Sequence, residues 1–231
     1  MSKIEMLSWK IVLRENIRVR EANIPEQVLT IAPAFQHDNM PLEVSLLLPT
    51  SMGPRHFLKE INQNTSVSDS AILGLFLNDP LLNITTEKSR LLQSGFQWIA
   101  NLPSVEQQDH EFAQQLSDVG IDRQREFDHL ERLKSEGFKI AVVLSDSAAV
   151  PSVVKINPEI IIVVPRVSDF AAGFASPRQR NQAAQDVFQA TQILGWSGIL
   201  LGYGDHSEID HERLWPNCVH GLLCRPLPVL P

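Results

Sequence analysis

Short, near-continuous apolar runs, each bounded by Pro, Gly, Asn or Asp, recur eight times along this chain, at residues 27–33, 43–49, 71–77, 98–102, 138–144, 160–164, 198–202 and 219–224. A strand buried on both faces reads this way. Where helices cover both sides of a parallel sheet, no face is left for water, and the polar alternation of a half-exposed strand disappears. Segments of helical period lie between most of the runs, at 85–94, 107–119 with 122–136, 148–156 and 177–194. The last is the clearest. Ser176-Pro177 sets a capping hydroxyl before a proline at the first helical position, Ala183, Ala184, Val187, Ile193 and Leu194 recur on one side, and Gly195 follows as a stop.

Strand–helix alternation carried to eight strands leaves two architectures, an open doubly wound sheet and a closed (β/α)8 barrel. Residues 202–207 hold Gly202 and Gly204 but lack the third glycine of a dinucleotide-binding turn, which disfavours the open sheet. The expected fold is therefore an irregular (β/α)8 TIM barrel. Only residues 34–41 separate the first two runs, so the first crossover helix is missing or very short. Ile4, Met6, Leu7, Trp9, Ile11 and Val12 suggest that residues 1–22 form an N-terminal helical extension packed on a single barrel domain of residues 23–231.

Charge and cysteine usage narrow the partners. The 231 residues carry 20 Lys and Arg against 27 Asp and Glu, a net charge of -7, with no block of like charges to grip a phosphate backbone. Nucleic acid is not an expected partner. The apolar runs are far shorter than the roughly 18–20 residues of a membrane span, and an acid at Glu5 interrupts any secretory signal, so the expected location is cytoplasmic. Cys218 and Cys224 share one run, where about 3.3 Å per residue holds them roughly 20 Å apart, so they read as free core residues. The bare wall expected between the first two strands would be covered by a second subunit, which points to a homo-oligomer.

In a barrel of this kind, chemistry sits just after the strands. His37, Asp38, Ser51 and Arg55 follow the first two runs; Asp79 follows the third between Asn78 and Pro80; Asn101 closes the fourth; Ser145-Asp146, then Arg166 and Asp169, follow the fifth and sixth. Asp79 could take a proton or hold magnesium, and Asn101 could orient a substrate oxygen. Each also reads as a turn residue satisfying local backbone amides. Gly204 and Ser207, in the loop after the seventh strand, would let backbone amides approach an anion, with Arg225 after the eighth as its cation and Arg166 as a second. His206, His211 and His220 lack the spacing of a zinc site.

The stretch 71–144 resembles the phosphoenolpyruvate-hydrolase-like TIM-barrel family, also described as predicted TIM-barrel signal-transduction proteins. Gly74 with Asp79-Pro80 is similar to the family's Gly…Asp-Pro after the third strand. LLQSGFQWIANLPSV, residues 91–105, is similar to its Gly-Phe…Asn-x-Pro-Thr-Val, and Leu116–Gly120 followed by Arg125-Glu126-Phe127 to its Leu-Glu-x-x-Gly and the Glu-bearing helix after it. Gly204 and Gly221 match glycines on its last two strands. The family's glycine-rich first strand end, its long second loop and its histidines after the sixth and seventh strands are replaced here.

The resemblance implies a barrel that binds or acts on a small carboxylated or phosphorylated oxo-acid, by lyase or hydrolase chemistry that stabilises an enolate. In that reading Asp79 and Asn101 are catalytic, with Asp79 a base or a magnesium ligand, and Arg166, Gly204, Ser207 and Arg225 bind the substrate anion. The alternative is a catalytically inactive barrel serving as a ligand sensor or interaction scaffold, its rim closed by Phe35, Met52, Phe170 and Phe174. A third reading has Arg166 and Arg225 holding a dicarboxylate while Asp169 or Asp205 does acid–base work.

Overall fold

The computed structural model describes residues 7–14, 27–31, 47, 53, 57–59, 69–93, 95–171, 173–209 and 215–225. Eight parallel strands close on themselves in chain order: β1 (Leu7–Arg14), β2 (Gln27–Ile31), β3 (Ile72–Gly74), β4 (Trp98–Ala100), β5 (Lys139–Leu144), β6 (Ile160–Val163), β7 (Ile199–Gly204) and β8 (Gly221–Cys224). The ring is sealed where Leu7 to Lys10 of β1 run in register with Gly221 to Cys224 of β8. The described helices fall between consecutive strands: α1 (Ile84–Gln93), α2 (His110–Asp118), α3 (Arg123–Ser135), α4 (Val150–Ile156) and α5 (Pro177–Ile193). None of them is long and apolar enough to cross a membrane.

Period-two alternation sorts the strand side chains into two cores. Trp9, Ile11, Val28, Ile72, Ala100, Ala141, Val143, Ile160, Ile162, Leu201, Tyr203 and Leu223 pack together inside the barrel. Leu29, Leu73, Ile99, Ile140, Val142, Leu144, Ile161, Val163 and Leu200 pack outward with Leu91, Phe127, Leu130, Val153 and Val187 of the helices. The interior leaves no slack at Gly74. A Cβ there would lie 2.9 Å from the Leu102 carbonyl oxygen and 3.3 Å from the Thr30 side chain, so only glycine lets β3 sit between its neighbours. Helix α5 starts as its sequence requires, with Ser176 and Gln179 exchanging a capping box and Pro177 in the first turn, and Gly195 follows it at φ +74°.

Seven of the eight expected runs are barrel strands, and two expectations are corrected. Residues 7–14 do not belong to a helical extension; they form β1, whose Trp9 and Ile11 face the interior while Lys10 is exposed. The apolar spacing that resembled a helix face is the alternation of a strand with one side open to water. The ring then passes directly from β2 to β3, with Val28 opposite Ile72, and has no place for residues 43–49. The wall on which a homo-oligomer was expected, between the first two runs, is in the ring the wall between β2 and β3. Of that run only Leu47, in a turn, lies among the described residues, and His37, Asp38, Ser51, Arg55, Phe35 and Met52 lie outside them.

Candidate functional site

Both expected catalytic residues, Asp79 and Asn101, are engaged with the protein's own backbone. Asp79 lies in the turn after β3, where its Oδ1 accepts a hydrogen bond from the Leu81 backbone N–H at 2.7 Å. It is the turn-forming carboxylate of Asn-Asp-Pro, and among the described residues no group of three His, Cys, Asp or Glu side chains could hold a metal ion with it.

Asn101 continues the alternation of β4 outward, away from the barrel axis, and is completely buried. Backbone pairing of β4 with β5 ends at Ala100 and Ala141. Beyond it the Asn101 side chain takes over the ladder, its Oδ1 accepting from the Val143 N–H at 2.7 Å and its Nδ2 donating to the Val143 carbonyl at 3.1 Å. The amide serves as a surrogate peptide group. Nδ2 also donates to Ser104 Oγ and to Glu126 Oε2, each at 3.0 Å. Glu126 on α3 further accepts from the Ser104 hydroxyl at 2.6 Å and from the Val105 N–H at 3.0 Å. Burial pushes its carboxyl up to about 7, against the opposing pull of these hydrogen bonds. This closed network fastens the loop after β4 to α3 and leaves Asn101 no bond to offer a substrate.

The expected anion loop after β7 is occupied by its own side chains. Asp205 Oδ1 accepts from the Ser207 N–H and hydroxyl at 2.9 and 2.8 Å, and Glu208 Oε2 accepts from the Asp205 N–H at 2.9 Å. Gly204 is glycine for packing, because a Cβ there would lie 2.4 Å from the Trp215 ring. Ser207 commits both its amide and its hydroxyl to Asp205. Arg225 lies with its guanidinium 4.4 Å from the Phe174 ring centre, and Arg180 stacks on the same ring at 4.5 Å. Arg180 is itself buried and bound to both Glu208 oxygens, at 2.7 and 3.0 Å. Phe174 continues to Phe170 and Tyr203, with ring centres 6.2 and 6.1 Å away, so aromatic rings cover this side of the barrel mouth.

Arg166 is placed differently. It follows β6 and lines a cleft of about 450 Å³ formed with residues of the loop after β4, α2 and the starts of α3 and α4, among them Glu106, His110, Ser117, Arg123 and Ser152. One Arg166 Nη donates to the Gln108 carbonyl at 3.0 Å and the other binds Asp146. Burial works to raise the Asp146 carboxyl, but the hydrogen bond and charge of Arg166 outweigh it and hold it below its ordinary value. Asp146 and Asp169 line an adjoining-rim cleft of about 360 Å³. Asp169 is engaged in capping, its Oδ2 accepting from the Arg166 N–H at 2.9 Å.

Glu106, which sequence reasoning missed, is the unusual member. It lies in a 3₁₀ turn, Val105–Gln107, capped by Ser104, and is only 5% exposed. Its Oε1 sits 3.4 Å from Arg123 Nε, and its buried Oε2 has no hydrogen-bond partner among the described residues. Burial raises its carboxyl above the ordinary range, against Arg123, with Asp146 adding to the rise and Arg166 and His110 opposing it. Its signal in the sequence is faint, since a polar turn after a strand looks alike whether it is solvated or buried. Cys218 and Cys224 are free and buried, with the Cys224 thiol pushed up to about 12 by burial.

No family model matches the sequence, and no curated protein matches it significantly.

Proposed function

We propose that the chain is a (β/α)8 TIM barrel, similar to the phosphoenolpyruvate-hydrolase-like barrels, that binds a small carboxylated or phosphorylated oxo-acid in the Glu106–Arg123–Arg166 cleft. One observation carries the reading: two guanidinium groups line the same cleft as a buried carboxyl, one of whose oxygens has no partner among the described residues, in loops and helix starts that follow the strands. A guanidinium has five N–H donors in a planar fork. The ion pair with Glu106 engages Arg123 through Nε, and Arg166 donates to Gln108 and Asp146, so both keep donors for a carboxylate or phosphate. The same donors would stabilise an enolate if the bound oxo-acid turns over.

The test is a thermal-shift and calorimetry panel of pyruvate, phosphoenolpyruvate, oxaloacetate and inorganic phosphate. At least one should raise the melting temperature. Arg123→Gln should weaken its binding roughly 10- to 150-fold, the equivalent of about 1.5–3 kcal/mol for a hydrogen bond to a charged group. Asp79→Ala should leave binding unchanged. A panel with no binder, or an Arg123→Gln protein that binds as tightly as the wild type, refutes the site.

A second reading, the catalytically inactive sensor or scaffold, is favoured by the engagement of both expected catalytic residues with the protein's own backbone. It predicts binding without consumption of any oxo-acid in the panel. Turnover of one of them refutes it.

A further inference from the structure

We propose that Glu106 belongs to this binding site as a neutral carboxylic acid, donating its proton in a hydrogen bond to an anionic oxygen of the ligand, so that wherever Glu106 is ionised in the free protein, binding the anion takes up a proton from solvent. The proposal rests on the binding reading above and adds the group that would make binding depend on pH.

The geometry leaves an ionised Glu106 poorly compensated. The charged groups facing it are Arg123 from the start of α3, His110 from the start of α2, Asp146 after β5, Arg166 after β6, and Glu126 from behind on α3. Arg166 has its charge matched by Asp146. Arg123 is 3.4 Å away at its nearest nitrogen, and its side chain is 46% exposed, where water screens it. Asp146 adds negative potential. A carboxylate in this setting has two buried oxygens and one long contact, whereas burying a charge without hydrogen bonds is far more costly than burying a neutral group.

The neutral acid changes what the residue can do. Its O–H is a donor, and the described protein offers Oε2 no acceptor. Glu106 is among the residues that line the cleft. An anion held there by Arg123 and Arg166 supplies the missing acceptor, and its own negative charge further disfavours ionisation of Glu106. The proton stays on Glu106, shared as O–H···O⁻, and no bond to the ligand forms or breaks. The raised carboxyl of the free protein agrees with this state.

Two measurements decide the matter. In the free protein, carboxyl ¹³C titration of wild type against Glu106→Gln isolates the Glu106 resonance. Its midpoint should lie above the ordinary glutamate value of about 4.3, and a midpoint at or below that value overturns the proposal. The second measurement is pyruvate calorimetry in buffers of different ionisation enthalpy, from about pH 5 to about pH 8, where pyruvate stays ionised. Wild type should take up as much as one proton per pyruvate, and its affinity should fall by up to about tenfold per pH unit above the free-protein midpoint. Glu106→Gln, neutral and still an N–H donor, should bind within a few-fold of wild type at low pH, with no proton uptake and a flat pH profile. Wild-type binding without uptake above the free-protein midpoint overturns the proposal, as does a Glu106→Gln profile identical to that of wild type. If pyruvate and the rest of the panel bind at no pH, the site reading fails, while the free-protein titration still decides the state of Glu106.

Discussion

Replacing Asn101 with alanine tests whether this residue holds the barrel or serves a ligand. The substitution removes the surrogate peptide group beyond the end of β4, leaving the Val143 N–H and carbonyl without the partners that now sit at 2.7 and 3.1 Å. Both groups are buried, and each orphaned buried group costs about 1–3 kcal/mol. Glu126 and Ser104 each lose a donor or acceptor as well, although they keep one another. The expected loss is roughly 3–5 kcal/mol, read from urea denaturation, with a melting temperature lower by about 6–20 °C for a domain of this size. Asn101→Asp should lose at least as much. Its carboxylate still accepts from the Val143 N–H, but it cannot donate to the Val143 carbonyl, and it adds a charge beside Glu126. The penalty should be worst above about pH 7, where Glu126 itself ionises. A fully folded Asn101→Ala protein within about 1 kcal/mol of wild type that no longer binds pyruvate would refute this account and return Asn101 to the ligand.

Glu126 and Gly204 give two further checks. The Glu126 carboxyl stands at about 7 in the folded protein against an ordinary 4.5, so the folded state binds its proton more tightly than the unfolded one. That contribution is fully present below the ordinary value and is lost as pH rises through 7. The wild type should therefore shed about 3 kcal/mol over this window that Glu126→Gln does not, measured as the difference between their urea midpoints across pH. Identical profiles would show that Glu126 titrates normally. Gly204→Ala forces a Cβ to within 2.4 Å of the Trp215 ring and 2.9 Å of Glu208 Oε2, and should cost about 1–3 kcal/mol by thermal melting. An unchanged melt would undo the packing account of that glycine.

The sequence was most readable where burial is two-sided. β3 and β5 to β8 show as continuous apolar runs because helices and interior cover both faces, and α5 announces its ends through Ser176, Pro177 and Gly195. β1 was illegible by the same logic, since its exposed Lys10 breaks the run and leaves an alternation that short windows confuse with a helix face. Site residues were harder still. Asp79, Gly204, Ser207 and Asn101 all lie where a barrel keeps its chemistry, yet each is consumed by a local need: a turn amide, a tryptophan ring, a capping carboxylate and an unfinished ladder. Position after a strand end does not reveal which way a side chain turns. Arg166 also lies after a strand and lines a cleft while bound to Gln108 and Asp146, and Glu106 gives little signal because its burial depends on the turn and helices around it.

Glu106 and Glu126 are two buried glutamates on one stretch of structure, and the contrast between them separates support from function. Glu126 is given donors by Asn101, Ser104 and Val105, so both its oxygens are satisfied from within. Those bonds fix Ser104 and Val105, and Ser104 in turn caps the turn that carries Glu106. The protein's hydrogen bonds thus hold the backbone beneath Glu106, while one oxygen of Glu106 itself has no partner among the described residues. A buried polar group left unsatisfied on a well-fastened turn is strain that folding alone does not require. A ligand in the cleft would relieve it, and the rigid network below would keep that relief from being taken up by movement of the loop.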